Sequence, residues 1–383
     1  MHDFMDAIEG KAHKTFLCII VLVSILALCT PLNSYAKVSG VCSNCHTMHN
    51  SQNGSAMARD NDGNLTATPN STLLIYSCIG CHSATDPSTA QHTVTNAPIV
   101  YNINGAPTYG AGSLGLAGGN FYWVAQGSDV KGHNIFAQDS NLSEAPGKLI
   151  GSCSGAGSCH MNLFEAIPPA SFGFSHVRQG CTKCHMIASD PPQGYHHRDD
   201  TGPVIDSFSE GWYRFLTGHN TNQGVTGIED ADWQYTFGSN DHNEYLGSSG
   251  NKTATGGFAL GNTMTAYCCG CHGVFHIQDT TVTGASPWLR HPSDAVLPVS
   301  GEYSAYTTYD PVTPVARPSL SGWSGPSNTV TPGQDMVMCL SCHKPHGSDY
   351  PDLLRWDYTD MIAGDNTKSG GCFNCHTQKN QTP

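Results

Sequence analysis

Aliphatic residues are scarce in this chain. From residue 37 onward, Leu, Ile, Val and Phe number 57 of 347, or 16%. That is below the roughly 20% at which a charged chain is expected to stay disordered. Basic residues are scarce too: residues 37–383 hold 15 Lys and Arg against 27 Asp and Glu. A surface this acidic excludes nucleic acid as a natural partner. Long helical periods are missing and clean alternating strands are few. The polypeptide alone lacks the apolar surface to offset its conformational entropy. Something apolar has to be added to it.

Only one long apolar run occurs, the 14 residues from Phe16 to Cys29, shorter than the about 20 needed to span a bilayer. Lys11 and Lys14 precede it, and Ser34-Tyr35-Ala36 follows as a small-x-small site. Residues 1–36 are therefore predicted to be a signal peptide, removed on export. An uncleaved anchor is the competing reading. Residues 37–383 are predicted to form a single domain that does not span a membrane.

Cysteine and histidine are abundant, at 17 and 20 residues. Six segments read Cys-x-x-Cys-His: Cys42/Cys45/His46, Cys78/Cys81/His82, Cys181/Cys184/His185, Cys268/Cys271/His272, Cys339/Cys342/His343 and Cys372/Cys375/His376. Chance at this composition would give roughly 0.04 such segments. Two thiols at this spacing reach the two vinyl groups of one porphyrin, and the next residue turns its imidazole onto the iron. Zinc sites and redox dithiols also use Cys-x-x-Cys, but neither needs a His directly after the second Cys. Cys153, Cys159 and His160 make a seventh candidate, with the small insert Ser154–Ser158 between the cysteines; a disulfide or an unattached pair is the competing reading. Cys269 is left as a spare thiol. The predicted cofactor is haem c, seven copies, or six if Cys153 and Cys159 are not used.

Eleven further histidines lie beyond residue 37: 49, 92, 133, 176, 196, 197, 219, 242, 276, 291 and 346. Seven irons need seven second ligands, so every iron can be bis-histidine. The candidates are His49, His92, His133, His197, His276, His291 and His346, with the pairing left open. Bis-histidine ligation lacks the potential-raising Met, so low-potential haems are expected. His46 and His49 are three residues apart, as are His343 and His346. On a helical turn such rings project to one side, so the second histidine serves a neighbouring iron.

The predicted fold is that of a multihaem c-type cytochrome: mostly coil, with short α and 3-10 helices at the motifs and few short strands, around stacked haems. Asp335–Lys344 is an example of an expected short helix, and Tyr101–Val130 reads as loops or short hairpins.

Several blocks resemble the extracellular filament-forming multihaem cytochromes of metal-reducing bacteria, most closely the hexahaem nanowire type. They are Cys42-Ser-Asn-Cys-His-Thr-Met-His49-Asn, Lys131-Gly-His133-Asn-Ile, Leu289-Arg-His291-Pro, Cys339-Leu-Ser-Cys-His-Lys-Pro-His346 and Cys372-Phe-Asn-Cys-His376. Residues 150–235 depart from that pattern by carrying the extra Cys-x5-Cys-His. The resemblance implies electron transfer along a continuous haem chain and end-to-end self-association outside the cell. It also implies that His49 crosses to the Cys339/Cys342/His343 haem of the next subunit. Expected partners are other copies of the chain, other multihaem cytochromes and extracellular electron acceptors. A soluble periplasmic shuttle is the alternative. A multihaem reductase is disfavoured, because such enzymes often mark their open iron with Cys-x-x-Cys-Lys, and none occurs here.

Overall fold

Short, sparse secondary structure is what a chain so poor in aliphatic residues can support. The computed structural model describes residues 35–36, 40–60, 64–70, 73–139, 163–166, 179–185, 196, 199–200, 202–217, 223–248, 261–272 and 291–380. The chain divides into two compact units, Met1–Tyr35 and Ala36–Pro383, and every cysteine-histidine motif lies in the second. Among the described residues, no helix is long and apolar enough to cross a membrane.

The described α-helices are single turns: Cys78–His82, Tyr122–Ala125, Met264–Cys268, Cys339–Cys342 and Cys372–Cys375. Isolated helices shorter than about 12 residues are marginal in water, so local capping and packing must hold these. Ser77 accepts from the Gly80 N–H and Thr263 from the Ala266 N–H, each capping an orphan donor. The helix expected over Asp335–Lys344 is shorter than the sequence suggests. It covers only Cys339–Cys342, because Met336–Val337 is drawn into a strand by neighbours on both sides.

That strand belongs to a six-stranded sheet which the sequence does not announce. Its order is Ala295–Val296, Met336–Val337, Ala316–Arg317, Glu244–Leu246, Gly227–Ile228, Val204–Ile205. All neighbours are antiparallel except Ala316–Arg317, which runs parallel to Glu244–Leu246. Strands this short leave no alternation long enough to read, yet alternation still sorts the two faces. Tyr245, Ala316 and Met336 are registered side by side and join Tyr213, Leu216, Val225, Met264, Met338 and Leu340 in one core, against which Cys268 packs. Val337 turns the other way, into a cluster with Leu297, Tyr306, Tyr309, Val315, Val330 and Cys375. The sheet thereby carries a motif cysteine in each of its flanking clusters.

Charge is also buried in this sheet. Arg317, 1% exposed, donates to both Glu244 oxygens at 2.8 and 3.0 Å and to Asp335 Oδ2 at 2.7 Å. Its guanidinium also lies over the Tyr309 and Trp323 rings. Burial alone would raise Glu244; hydrogen bonds from His242 and Arg317 outweigh it and hold the carboxyl below its ordinary value.

Tyr101–Val130 is irregular, as expected, but rigidly tied by buried polar groups. Asn102 is fully buried. Its Nδ2 donates to the carbonyls of Asp86 and Thr89, and its Oδ1 accepts from Asn120 Nδ2 at 2.7 Å. The Tyr109 hydroxyl sits between Asn102 Oδ1, at 2.9 Å, and the Ile99 carbonyl. Asn102→Ala strands these partners without water. Each stranded group costs about 1–3 kcal/mol, so a lower unfolding midpoint of the haem-loaded protein is expected by chemical denaturation, with wild-type haem content. An unchanged midpoint would remove this network from the account of the loop.

Candidate metal centres

All six described Cys-x-x-Cys-His segments share one backbone turn. The His backbone N–H returns to the carbonyl of the first Cys at 2.8 Å for His46 and His185, 3.0 Å for His272, 3.1 Å for His343 and 2.9 Å for His376. Cys78–His82 is one α-helical turn throughout. At 3.6 residues per turn, cysteines three apart lie on one side and the following His lies just beyond them. Two sulfurs and an imidazole therefore converge on one flank, which fits a planar group attached at two points. Burial pushes the Cys342 and Cys375 thiols up to about 12.

Cys271 departs from the expectation of a short helix at each motif. The helix there, Met264–Cys268, precedes the motif and stops at its first cysteine, with Cys269 as the C-cap. Cys271 and His272 come after it, in a turn closed by the Cys271 N–H on the Cys268 carbonyl at 3.1 Å. The Thr263 cap fixes where this helix starts, five residues before Cys268, so its single turn is used up before Cys271 is reached. The closing bond still holds Cys271 half-buried on the same flank as Cys268.

The rings are oriented by their other nitrogen. His82 Nδ1 faces the Pro98 carbonyl at 2.8 Å, His185 Nδ1 that of Arg214 at 2.8 Å, and His343 Nδ1 that of Asp352 at 2.7 Å. Among the other histidines, His133 Nδ1 faces Pro345 at 2.7 Å and His291 Nδ1 faces Pro292 at 3.1 Å. A carbonyl only accepts, so Nδ1 carries the proton and Nε2 keeps its lone pair for a metal. His376 Nδ1 lies 3.3 Å from Glu302 Oε1, a carboxylate partner of the kind that raises ligand basicity. Burial lowers the pKa of His82, His185, His343 and His291, holds His133 near about 4, and brings His346 to about 3. Each is then a neutral ring at ordinary pH, as a ligand must be.

Four motif histidines each stand opposite a histidine from outside the motifs. The ring centroids are 6.3 Å apart for His82 and His196, 5.9 Å for His185 and His346, 6.2 Å for His272 and His133, and 6.2 Å for His376 and His291. A first-row metal sits about 2 Å from an imidazole nitrogen, itself roughly 1.1 Å from the ring centre, so two rings across one metal stand about 6.2 Å apart. The four spacings match that requirement.

The fold explains how these partners arrive. His346 follows a bend in which the His346 N–H donates to Gly118 O at 2.8 Å and the Asn120 N–H to Gly347 O at 3.0 Å. Gly119, at φ +88°, lies so close to Gly347 O that no β-carbon fits. The ring then lies 4.6 Å from that of Phe121. The helical-turn premise for His343 and His346 does not hold, since the helix stops at Cys342 and His343 is already extended.

The other histidines differ. His49 and His343 are both exposed, although the chain around His343 still desolvates its ring. His92 Nδ1 accepts from the N–H groups of Val94 and Thr95, the reverse of the arrangement at His82. His242 is fully buried against Tyr309, with Gly238 O and Glu244 Oε1 facing its two nitrogens, so neither is presented to a metal. His196, left outside the favoured set by the sequence, is the ring found opposite His82; no local signal separates it from its neighbour His197. Cys153, Cys159, His160, His176, His197, His219 and His276 lie outside the described residues. Cys269 is buried at the end of the Met264–Cys268 helix.

Residues 331–381, with two of these motifs, match the doubled CXXCH motif family, which supports a capacity to bind c-type haem. Over 378 residues the chain is 26% identical to the C-type cytochrome OmcS of Geobacter sulfurreducens, covering 82% of this chain and 78% of that protein. Two solved structures, the Outer Membrane Cytochrome S filament and the OmcS nanowires of the same organism, align over 91% of this chain and 92% of theirs. Both have a TM-score of 0.46, at 19% and 17% identity.

Proposed function

We propose that this protein is an exported multihaem c-type cytochrome that conducts electrons as a subunit of an extracellular filament. The observation that carries this reading is the set of four histidine pairs, each joining a motif histidine to a remote one at the separation that one iron requires. Covalent haem supplies reversible one-electron chemistry. The chain's part is to attach it through the paired cysteines, to fix ligand tautomers through backbone carbonyls, and to exclude water from the rings. In this reading His196, His346, His133 and His291 are the second ligands at His82, His185, His272 and His376. His49 serves His343 of an adjoining copy. Cys153, Cys159 and His160 hold a seventh haem.

Intact mass with a haem assay tests the count: seven covalent haems are expected. Six, with Cys153 and Cys159 unmodified, would remove the seventh site. His291→Ala tests the pairing, and the oxidised variant is expected to keep its haem count while one iron turns from low-spin to high-spin. Wild-type spectra from that variant would show that His291 is not a ligand.

A further inference from the structure

The second and fourth motifs of the sequence touch, although Cys153, Cys159 and His160 lie between them in the chain. The Cys78 and Cys181 thiols are hydrogen-bonded to each other. The His82 ring feels that of His185, and His346, which stands opposite His185, feels His82 as well. A motif sulfur is the atom that joins a porphyrin edge. Two such sulfurs in contact bring two porphyrin edges together and leave no space for a third ring between them.

The remaining described motifs continue in the same way. Cys45 acts electrostatically on Cys81, linking the first motif to the second. The Tyr267 hydroxyl, one residue before Cys268, donates to the Cys184 carbonyl at 2.7 Å. Cys268 is hydrogen-bonded with Cys339, whose sulfur also lies 3.8 Å from Thr265 Oγ1. Cys342 neighbours Cys372 and Cys375. Contact thus runs from Cys42–His46 to Cys372–His376 through described residues alone.

Resting on the multihaem reading above, we propose that electrons pass directly between the haem on Cys78 and Cys81 and the haem on Cys181 and Cys184, with the Cys153/Cys159 haem joined to the side of this path. One electron leaves the ferrous iron at His82, which becomes ferric, and reduces the ferric iron at His185; no proton or third reactant is needed. Tunnelling falls steeply with distance, so the touching edges outcompete any detour. The side haem is then a place where charge enters, leaves or is held without interrupting the line.

The test compares the haem-loaded wild-type protein with a variant carrying Cys153→Ala, Cys159→Ala and His160→Ala. Intact mass counts the haems, and pulsed reduction followed by optical spectroscopy gives the rate of electron redistribution along the chain. The variant is expected to hold one haem fewer than wild type and to redistribute electrons within about twofold of it, whereas a fall of about tenfold or more with the other six in place would overturn the proposal. Should the variant fail to load haem, an electron cryomicroscopy structure of the wild type decides. Touching porphyrin edges at Cys78 and Cys181 support the direct step; a third porphyrin between them overturns it. A wild-type chain with only six haems has no side haem and ends the proposal while leaving the multihaem reading standing. A chain with no covalent haem ends that reading itself.

Discussion

His49→Ala is expected to abolish long filaments of the exported protein while leaving its covalent haem content unchanged. His49 is exposed and follows the exposed Met48, 80% accessible, in the first motif of the chain. At the far end of the sequence His343 is also exposed, with Nδ1 held by the Asp352 carbonyl and Nε2 left for iron. Among the described residues no histidine pair of the kind seen at His82, His185, His272 and His376 forms at His343. One ligand is wanted there and one is offered at the other end. A head-to-tail contact repeated without closure gives a filament rather than a ring. A coordinate bond at each junction sets the register more sharply than apolar contact, and brings terminal haems within transfer distance. The variant should therefore appear as short particles by electron microscopy, with one iron per chain lacking its second histidine. Filaments of ordinary length with unchanged spectra would show that His49 is not the link.

Arg317→Met is expected to be the most damaging single change away from the haem sites. It leaves Glu244 and Asp335 buried without their shared cation, and breaking a buried pair in this way typically costs about 3–5 kcal/mol. It also removes the donors to the Ser327 and Thr329 carbonyls and the stacking on Tyr309 and Trp323. Chemical denaturation of the haem-loaded protein should show a lower midpoint, or expression should fail outright. Adding Glu244→Gln and Asp335→Asn should recover part of the loss, since the stranded charges go with them. A loss below about 1 kcal/mol in the single variant would mean that water reaches the cluster and solvates it.

Haem attachment was legible in the sequence because it is local. Five consecutive residues supply both sulfurs and one imidazole, and a single helical turn, as at Cys78–His82, brings them together without help from the rest of the chain. Where the helix falls relative to the motif was less legible, since at Cys271 a cap five residues upstream of Cys268 decides it. The second ligands were legible only as a surplus of histidines. His133 reaches His272 across more than a hundred residues, and His346 reaches back to His185, guided by backbone contacts at Gly118–Asn120 that have no sequence signature. The same limit hid the sheet, whose strands are two or three residues long and whose alternation shows only once Tyr245, Ala316 and Met336 stand in register. It also hid His242, which reads like any other spare histidine and lies in the ionic cluster of the sheet.

By itself, then, the sequence determined the chemistry of each attachment turn and the need for an apolar group to complete a chain so short of aliphatic side chains. Spacing within one turn and composition are properties that no tertiary arrangement can alter. Tertiary structure alone decided which histidine stands opposite which, which motifs touch, and which charged groups are buried, because those contacts join residues far apart in sequence, and the energies that select among them come from packing and desolvation rather than local geometry.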